Sequence, residues 1–211
     1  MKPSFLKLML ITHRGNTPLD EYLSFVRACA ASGVTSVQLR EKNRSFPELL
    51  EFGKKLQDIL RSFSIPLIVN DDPDLALALD AEGVHLGQTD GDVRIARQRL
   101  GENKIIGVSV TSLAELQHAN TLPIDYIGLA PIFPIQSKTQ TAPLLGYEGV
   151  RRFSRLSKHP IIAVGGITEA CAREVMKAGA QGIAAIGAFH RALDLTLTTQ
   201  RLRDIIDGER L

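Results

Sequence analysis

The chain is 211 residues long, with 44% apolar and 23% charged residues, proportions that exclude a disordered or fibrous polypeptide and suit one domain spanning 1–211. Twenty-five basic against 23 acidic residues leave a net charge of +2, too even to draw the whole surface to nucleic acid or an anionic membrane, so any anion site must be local. The longest apolar run, Tyr126 to Ile135, is about half of what a spanning helix needs, and the first residues show no secretory pattern, so a cytoplasmic protein is expected.

Short β-rich runs alternate with longer runs of helical period from one end to the other. Strands are expected at Leu6–Thr12, Ser36–Arg40, Pro66–Asn70, Gly83–Leu86, Ile105–Ser109, Tyr126–Leu129, Pro160–Val164 and Gly182–Ile186. Between them fall helical patterns at Leu19–Ala31, Pro47–Arg61, Pro73–Leu79, Val93–Leu100, Ser112–Ala119, Gly149–Leu156 and Thr168–Ala178, with a last helix from about Ala188. Eight units of ~26 residues each hold a short strand, a helix of about ten residues and two tight loops. Strict alternation argues for parallel strands with helices outside. Equal units favour closure, so the fold class expected is α/β, a single (β/α)8 TIM barrel. An open dinucleotide-binding sheet would want Gly-x-Gly-x-x-Gly after its first strand, which is absent.

A short repeat supports the count. Ala-x-Gly-(Val/Ile) recurs at Ala31–Val34, Ala81–Val84 and Ala180–Ile183, its glycines 50 and 99 residues apart. Each glycine is expected in the left-handed conformation that ends a helix. Cys29 and Cys171 fall in helical segments and read as buried thiols. The loop from Pro131 to Tyr147 is long enough for a compact domain that a functional role is expected of it.

In such a barrel the chemistry sits where the strands end. After the second strand, alternation places Gln38, Arg40 and Lys42 on one side, and two inward cations need an anion between them. Asn70-Asp71-Asp72 ends the third strand and Gln88-Thr89-Asp90 follows the fourth, so Asp71 and Asp90 can meet across neighbouring loops. Two carboxylates, completed by water and phosphate oxygens, make a magnesium site. Helix capping is the plainer explanation of the same aspartates, since Asp71 or Asp72 precedes Pro73 and Asp90 precedes another helix start. His85 lies within a strand and reads as a satisfied core histidine. Ser109, Lys138, the Gly165-Gly166 pair and Gly187 complete the rim, the glycines opening backbone N–H groups to a phosphate. Taken together these residues describe a site for two phosphorylated substrates or one diphosphate.

Gln38-Leu39-Arg40-Glu41-Lys42, Asn70-Asp71, Gly83 through Asp90, Gly107-Val108-Ser109, Asp125-Tyr126-Ile127-Gly128, Pro131-Ile132-Phe133-Pro134 with Lys138, and Gly165-Gly166-Ile167 together resemble the thiamine-phosphate synthase family. The match runs in order from the first strand to the last. It implies a magnesium-dependent transferase of thiamine biosynthesis that moves an aminomethylpyrimidine group from its diphosphate to the nitrogen of hydroxyethylthiazole phosphate. The products would be thiamine phosphate and pyrophosphate. By the resemblance, Gln38, Leu39, Arg40, Glu41, Lys42, Asn70, Ser109 and Lys138 hold the pyrimidine diphosphate, and Asp71 and Asp90 hold Mg2+. Ile135, Gln136, Ser137, Gly166, Ile186 and Gly187 receive the thiazole phosphate. Arg40, Lys42, Ser109 and Lys138 would be catalytic, stabilising the departing pyrophosphate before attack on a pyrimidine cation.

Five positions depart from the family pattern, Ser137 conservatively. Ile135 stands for threonine and Ser137 for a second threonine, Gly187 for serine, Thr111 for a frequent histidine and Met9 for a frequent tyrosine. The thiazole half is therefore thinned, which opens two alternatives on the same fold. A thiazole tautomerase-like isomerase would lack the Arg40, Lys42, Asp71 and Asp90 group and carry histidine at position 111, and neither holds here. A non-catalytic phosphate-binding relative would need no paired carboxylates. Small phosphorylated molecules are the expected partners, with neither nucleic acid nor membrane, and a homo-oligomer is left open.

Overall fold

The computed structural model describes residues 4–134 and 143–208. Eight parallel strands, β1 (Leu8–Ile11), β2 (Ser36–Leu39), β3 (Leu67–Asn70), β4 (Gly83–Leu86), β5 (Ile105–Val110), β6 (Tyr126–Leu129), β7 (Ile161–Val164) and β8 (Gly182–Ala185), pair in chain order and close on themselves, β1 against β8. Helices α1 (Leu19–Ala31), α2 (Phe46–Arg61), α3 (Pro73–Leu79), α4 (Val93–Leu100), α5 (Leu113–Ala119), α6 (Gly146–Leu156), α7 (Glu169–Lys177), α8 (Gly187–His190) and α9 (Leu195–Asp207) follow the strands. No described helix is long and apolar enough to cross a membrane.

The strands are buried on both faces, which is why they read as short apolar runs. Their outward residues, among them Leu8, Leu10, Leu39, Val69 and Ile127, join the helix faces in one large core. The inward core is small: Leu6, Met9, Ile11, Ile68, Tyr126, Ile162 and Ala184. Inward positions nearer the strand ends turn polar, with Gln38, Asn70, His85 and Ser109, and that change opens a cavity at the C-terminal rim.

Helix starts are capped by side chains the sequence supplies. Asp72, Asp92, Ser112 and Asp194 accept from the backbone N–H of Leu75, Arg94, Glu115 and Leu197. Ser45 and Glu48 close a capping box at α2. The expected single C-terminal helix is instead two, because Asp194 begins a new helix after the turn at Arg191. Helix α6 starts at Gly146, one turn ahead of the expected Gly149.

Two further expectations need correction. Of the repeated glycines only Gly33 has the left-handed conformation, at φ +124°, whereas Gly83 and Gly182 open strands. A Cβ on Gly83 would lie 2.3 Å from the Ile105 carbonyl oxygen, and one on Gly182 would lie 1.7 Å from that of Leu6. Close approach of neighbouring strand backbone, not helix termination, requires glycine at those two places. Cys29 is buried as expected, and burial pushes its thiol up to about 12. Cys171 is only half-buried, with its sulfur accepting from the Thr168 N–H at 3.2 Å at the start of α7.

At the opposite end of the barrel Arg97 is buried and donates to the carbonyls of Pro123 and Gly101 at 3.1 Å and to Asp125 at 2.7 Å. Asp125 in turn accepts from the Ile106 N–H at 2.7 Å, so one guanidinium ties α4 to β5 and β6. Arg97→Leu strands these acceptors and is expected to cost ~2–3 kcal/mol of stability. Chemical denaturation measures it, and kcat of the folded fraction should be unchanged because this face lies away from the cavity.

Candidate active site

The cavity at the strand ends has a volume of about 760 Å³, enough for two small phosphorylated molecules. Gln38, Arg40, Glu41 and Lys42 line it from the β2 side, Asn70 from β3, His85 from β4, Ser109 from β5, and Gly165 and Ile186 close it. Strict alternation past β2 does not hold, since Glu41 lines the cavity beside Arg40 and Lys42. Glu41 earns that place by accepting from the Arg14 N–H at 2.8 Å, which pins the loop after β1 to the loop after β2. Arg40 is fixed through its own N–H, donated to Thr12 Oγ1 at 2.9 Å. The Leu39 side chain is buried in the outer core, so only its backbone can face a ligand.

The aspartates separate cleanly into caps and site residues. Asp72 and Asp92 cap α3 and α4, which leaves Asp71 and Asp90 without that duty. Asp71 adopts φ +66°, a left-handed conformation uncommon for a side-chain-bearing residue, and its N–H donates to the His85 carbonyl at 2.8 Å. Its carboxyl lies close to that of Asp90. Desolvation and then the Asp90 carboxylate push it up to about 6, while Arg40 and Asn70 pull the other way. Asp90 is held by the Gly87 N–H, donated to its Oδ2 at 2.7 Å.

Two crowded carboxylates with no sulfur or imidazole among them suit a hard divalent cation. Among the described residues no three such ligating groups stand together, so the remaining coordination would come from water and substrate oxygens.

Inside the barrel a chain of hydrogen bonds runs from β6 through β4 to β5. Tyr126 Oη lies 2.9 Å from His85 Nδ1, and His85 Nε2 lies 2.9 Å from Ser109 Oγ. Full burial pulls the His85 imidazole down to about 4, so it is neutral. The core-histidine expectation is right about satisfaction and silent about position, for this ring also lines the cavity.

On the far side Gly165 and Gly166 take φ +96° and +67°. A Cβ on Gly166 would lie 2.7 Å from the Phe133 backbone, so only glycine lets the loops after β6 and β7 pack together there. Ile186 is held through its carbonyl, 2.9 Å from His190 Nδ1, while His190 Nε2 lies 3.0 Å from the Tyr22 hydroxyl. Burial holds His190 below the usual histidine range, so the neutral ring donates to Ile186 and accepts from Tyr22. Sequence reasoning missed this His190–Tyr22 brace. Gly187 opens α8, and a Cβ there would lie 2.4 Å from the Arg191 guanidinium, a cation at this rim that was also missed. Ile135, Gln136, Ser137 and Lys138 lie outside the described residues.

The family model described as thiamine monophosphate synthase matches residues 8–189. The chain is 55% identical over 207 residues to a thiamine-phosphate synthase of Chlamydia caviae, covering 98% of both. It is 42% identical to that of Albidiferax ferrireducens, covering 96% of this chain and 93% of the relative. Among solved structures, a thiamine phosphate pyrophosphorylase from Pyrococcus furiosus superposes with a TM-score of 0.87 at 38% identity, covering 97% of each chain.

Proposed function

This chain belongs to the thiamine monophosphate synthase family, and on that footing we propose that it joins 4-amino-2-methyl-5-diphosphomethylpyrimidine to hydroxyethylthiazole phosphate, releasing pyrophosphate. The observation that carries the reading is the convergence of Asp71 and Asp90 beside Arg40, since neither aspartate serves as a cap.

Arg40 and Lys42 would hold the diphosphate, with Asn70 and Ser109 as neutral donors; by the family resemblance Lys138, outside the described residues, would be a further cation. Magnesium, held between Asp71 and Asp90, would neutralise charge on the leaving group. Charge builds on the diphosphate as its bond to the methylene carbon lengthens, and fixed donors stabilise that state more than the ground state. The pyrimidine ring would lie over the cavity floor near Gln38, and the thiazole phosphate would sit against Gly166, Ile186 and Gly187. Incubating the protein with both substrates and magnesium should yield thiamine phosphate by mass spectrometry. Conversion of the thiazole phosphate alone, with no pyrophosphate, would instead mark an isomerase.

The thinned thiazole half gives a separate test. Restoring two hydroxyls with Ile135→Thr and Gly187→Ser requires the Arg191 guanidinium to swing aside, which a flexible side chain allows. The double variant is expected to lower KM for the thiazole phosphate several-fold and leave KM for the diphosphate unchanged. A rise in the first KM would show that Arg191, and not a hydroxyl, serves the phosphate at this rim.

A further inference from the structure

We propose that His85 is a positioning residue for this reaction: a neutral imidazole, locked by Tyr126, that donates to Ser109 Oγ and so turns the Ser109 hydroxyl proton towards the substrate. The inference rests on the reading that Ser109 faces the pyrimidine diphosphate.

The argument starts from donors and acceptors. A hydroxyl stands 2.9 Å from each imidazole nitrogen, Tyr126 at Nδ1 and Ser109 at Nε2, with no carboxylate at either. A neutral ring has one N–H, so it accepts at one nitrogen and donates at the other. Which way the chain runs is set at its far end. The Tyr126 hydroxyl is fully buried, and among the described residues its one hydrogen-bond partner is His85 Nδ1. If it accepted there its own proton would be stranded, so Tyr126 donates to Nδ1. The Nε2 nitrogen must carry the ring proton and donate it to Ser109 Oγ. Among the described residues the Ser109 hydroxyl has no other side-chain partner, and Ser109 lines the cavity. Its proton is free for a ligand oxygen. Reversing the chain would make Ser109 spend that proton on His85 and present only lone pairs to an anion.

The backbone is built around these two rings. A Cβ on Gly107 would lie 2.1 Å from Tyr126 Cζ, and one on Gly128 would lie 2.7 Å from His85 Cε1. Both glycines have ordinary strand conformations, so neither is needed for its φ. Glycine inside a strand marks a close approach, and what approaches here is each of the two rings of the hydrogen-bond chain. Packing of the rings alone would not require hydroxyls at both ends of the imidazole.

Two measurements test the proposal. In 15N-labelled wild-type protein, long-range proton–nitrogen correlation should show His85 with a bare Nδ1 and a protonated Nε2; the opposite tautomer or an imidazolium would overturn it. Kinetically, Tyr126→Phe should lower kcat about tenfold with KM for both substrates within about twofold, and add no further loss in a Ser109→Ala background. An equal loss in both backgrounds, or none in either, would show that Tyr126 and His85 only pack. The spectrum needs no variant, so it decides the matter if Tyr126→Phe fails to fold. A wild type that makes no thiamine phosphate overturns the proposed function instead, and leaves the tautomer to the spectrum.

Discussion

Asp71→Asn is expected to abolish turnover and, in the same protein, to raise the melting temperature measured in chelator. The catalytic loss follows from removing one of two carboxylates proposed to hold magnesium, a loss of at least ~10³-fold in kcat. The stability gain follows from the sign of the shift at Asp71. Its carboxyl is raised from 3.8 to about 6 in the folded protein, so the ionised form is disfavoured there relative to the unfolded chain. That penalty is absent below about pH 4, grows between about 4 and 6, and is fully present above 6. Replacing the charge by an amide removes it. Because Asp71 lies at the open rim, solvent screening leaves on the order of 0.5–1 kcal/mol, or ~1–3 °C. Asparagine also tolerates the left-handed φ at this position, so no backbone cost offsets the gain. Calorimetry at pH 8 should therefore show the variant above the wild type in chelator, with the gap closing at pH 4 or on adding magnesium to the wild type. A variant that is inactive and less stable at pH 8 would mean that Asp71 supports the fold rather than a cation.

Arg40→Ala is expected to lower kcat by ~10²–10³-fold while changing KM for the pyrimidine diphosphate far less, because its interaction strengthens as charge develops on the leaving group. Arg40 also faces Asp71 and favours its ionised form, so the same substitution should raise the magnesium concentration needed for half-maximal rate. Steady-state kinetics over a magnesium titration separates the two effects. A variant with raised KM and unchanged kcat would assign Arg40 to ground-state binding only.

The pairing of Asp71 with Asp90 could be anticipated because successive strands of a closed parallel sheet are neighbours, so residues just past β3 and β4 must meet. Choosing between cap and site residue could not. Asp71-Asp72 and Asp90 through Asp92 each offer aspartates at a helix start, and only backbone geometry shows that Asp72 and Asp92 do the capping. The role of His85 was hidden for a different reason. A histidine in a buried strand has the same sequence appearance whether or not it faces a cavity. The available signal was Gly107 and Gly128, glycines inside β5 and β6 whose missing side chains make room for Tyr126 and His85. The Ala-x-Gly repeat shows the converse hazard, since one sequence pattern serves a helix end at Gly33 and a close strand contact at Gly83 and Gly182. The break before α9 was signalled only by Asp194, a cap that a continuous helical period masks.

The central claim, a transferase that stabilises a departing diphosphate between two carboxylates and the β2 cations, is tested most directly by counting products. Wild-type protein is given both substrates, with magnesium or with chelator, and pyrophosphate and thiamine phosphate are quantified over time. The expected result is equimolar formation of the two with magnesium, and none in chelator or when the thiazole phosphate is omitted. Thiamine phosphate formed at the same rate in chelator would contradict the role given to Asp71 and Asp90, and pyrophosphate released without thiamine phosphate would contradict the transfer itself.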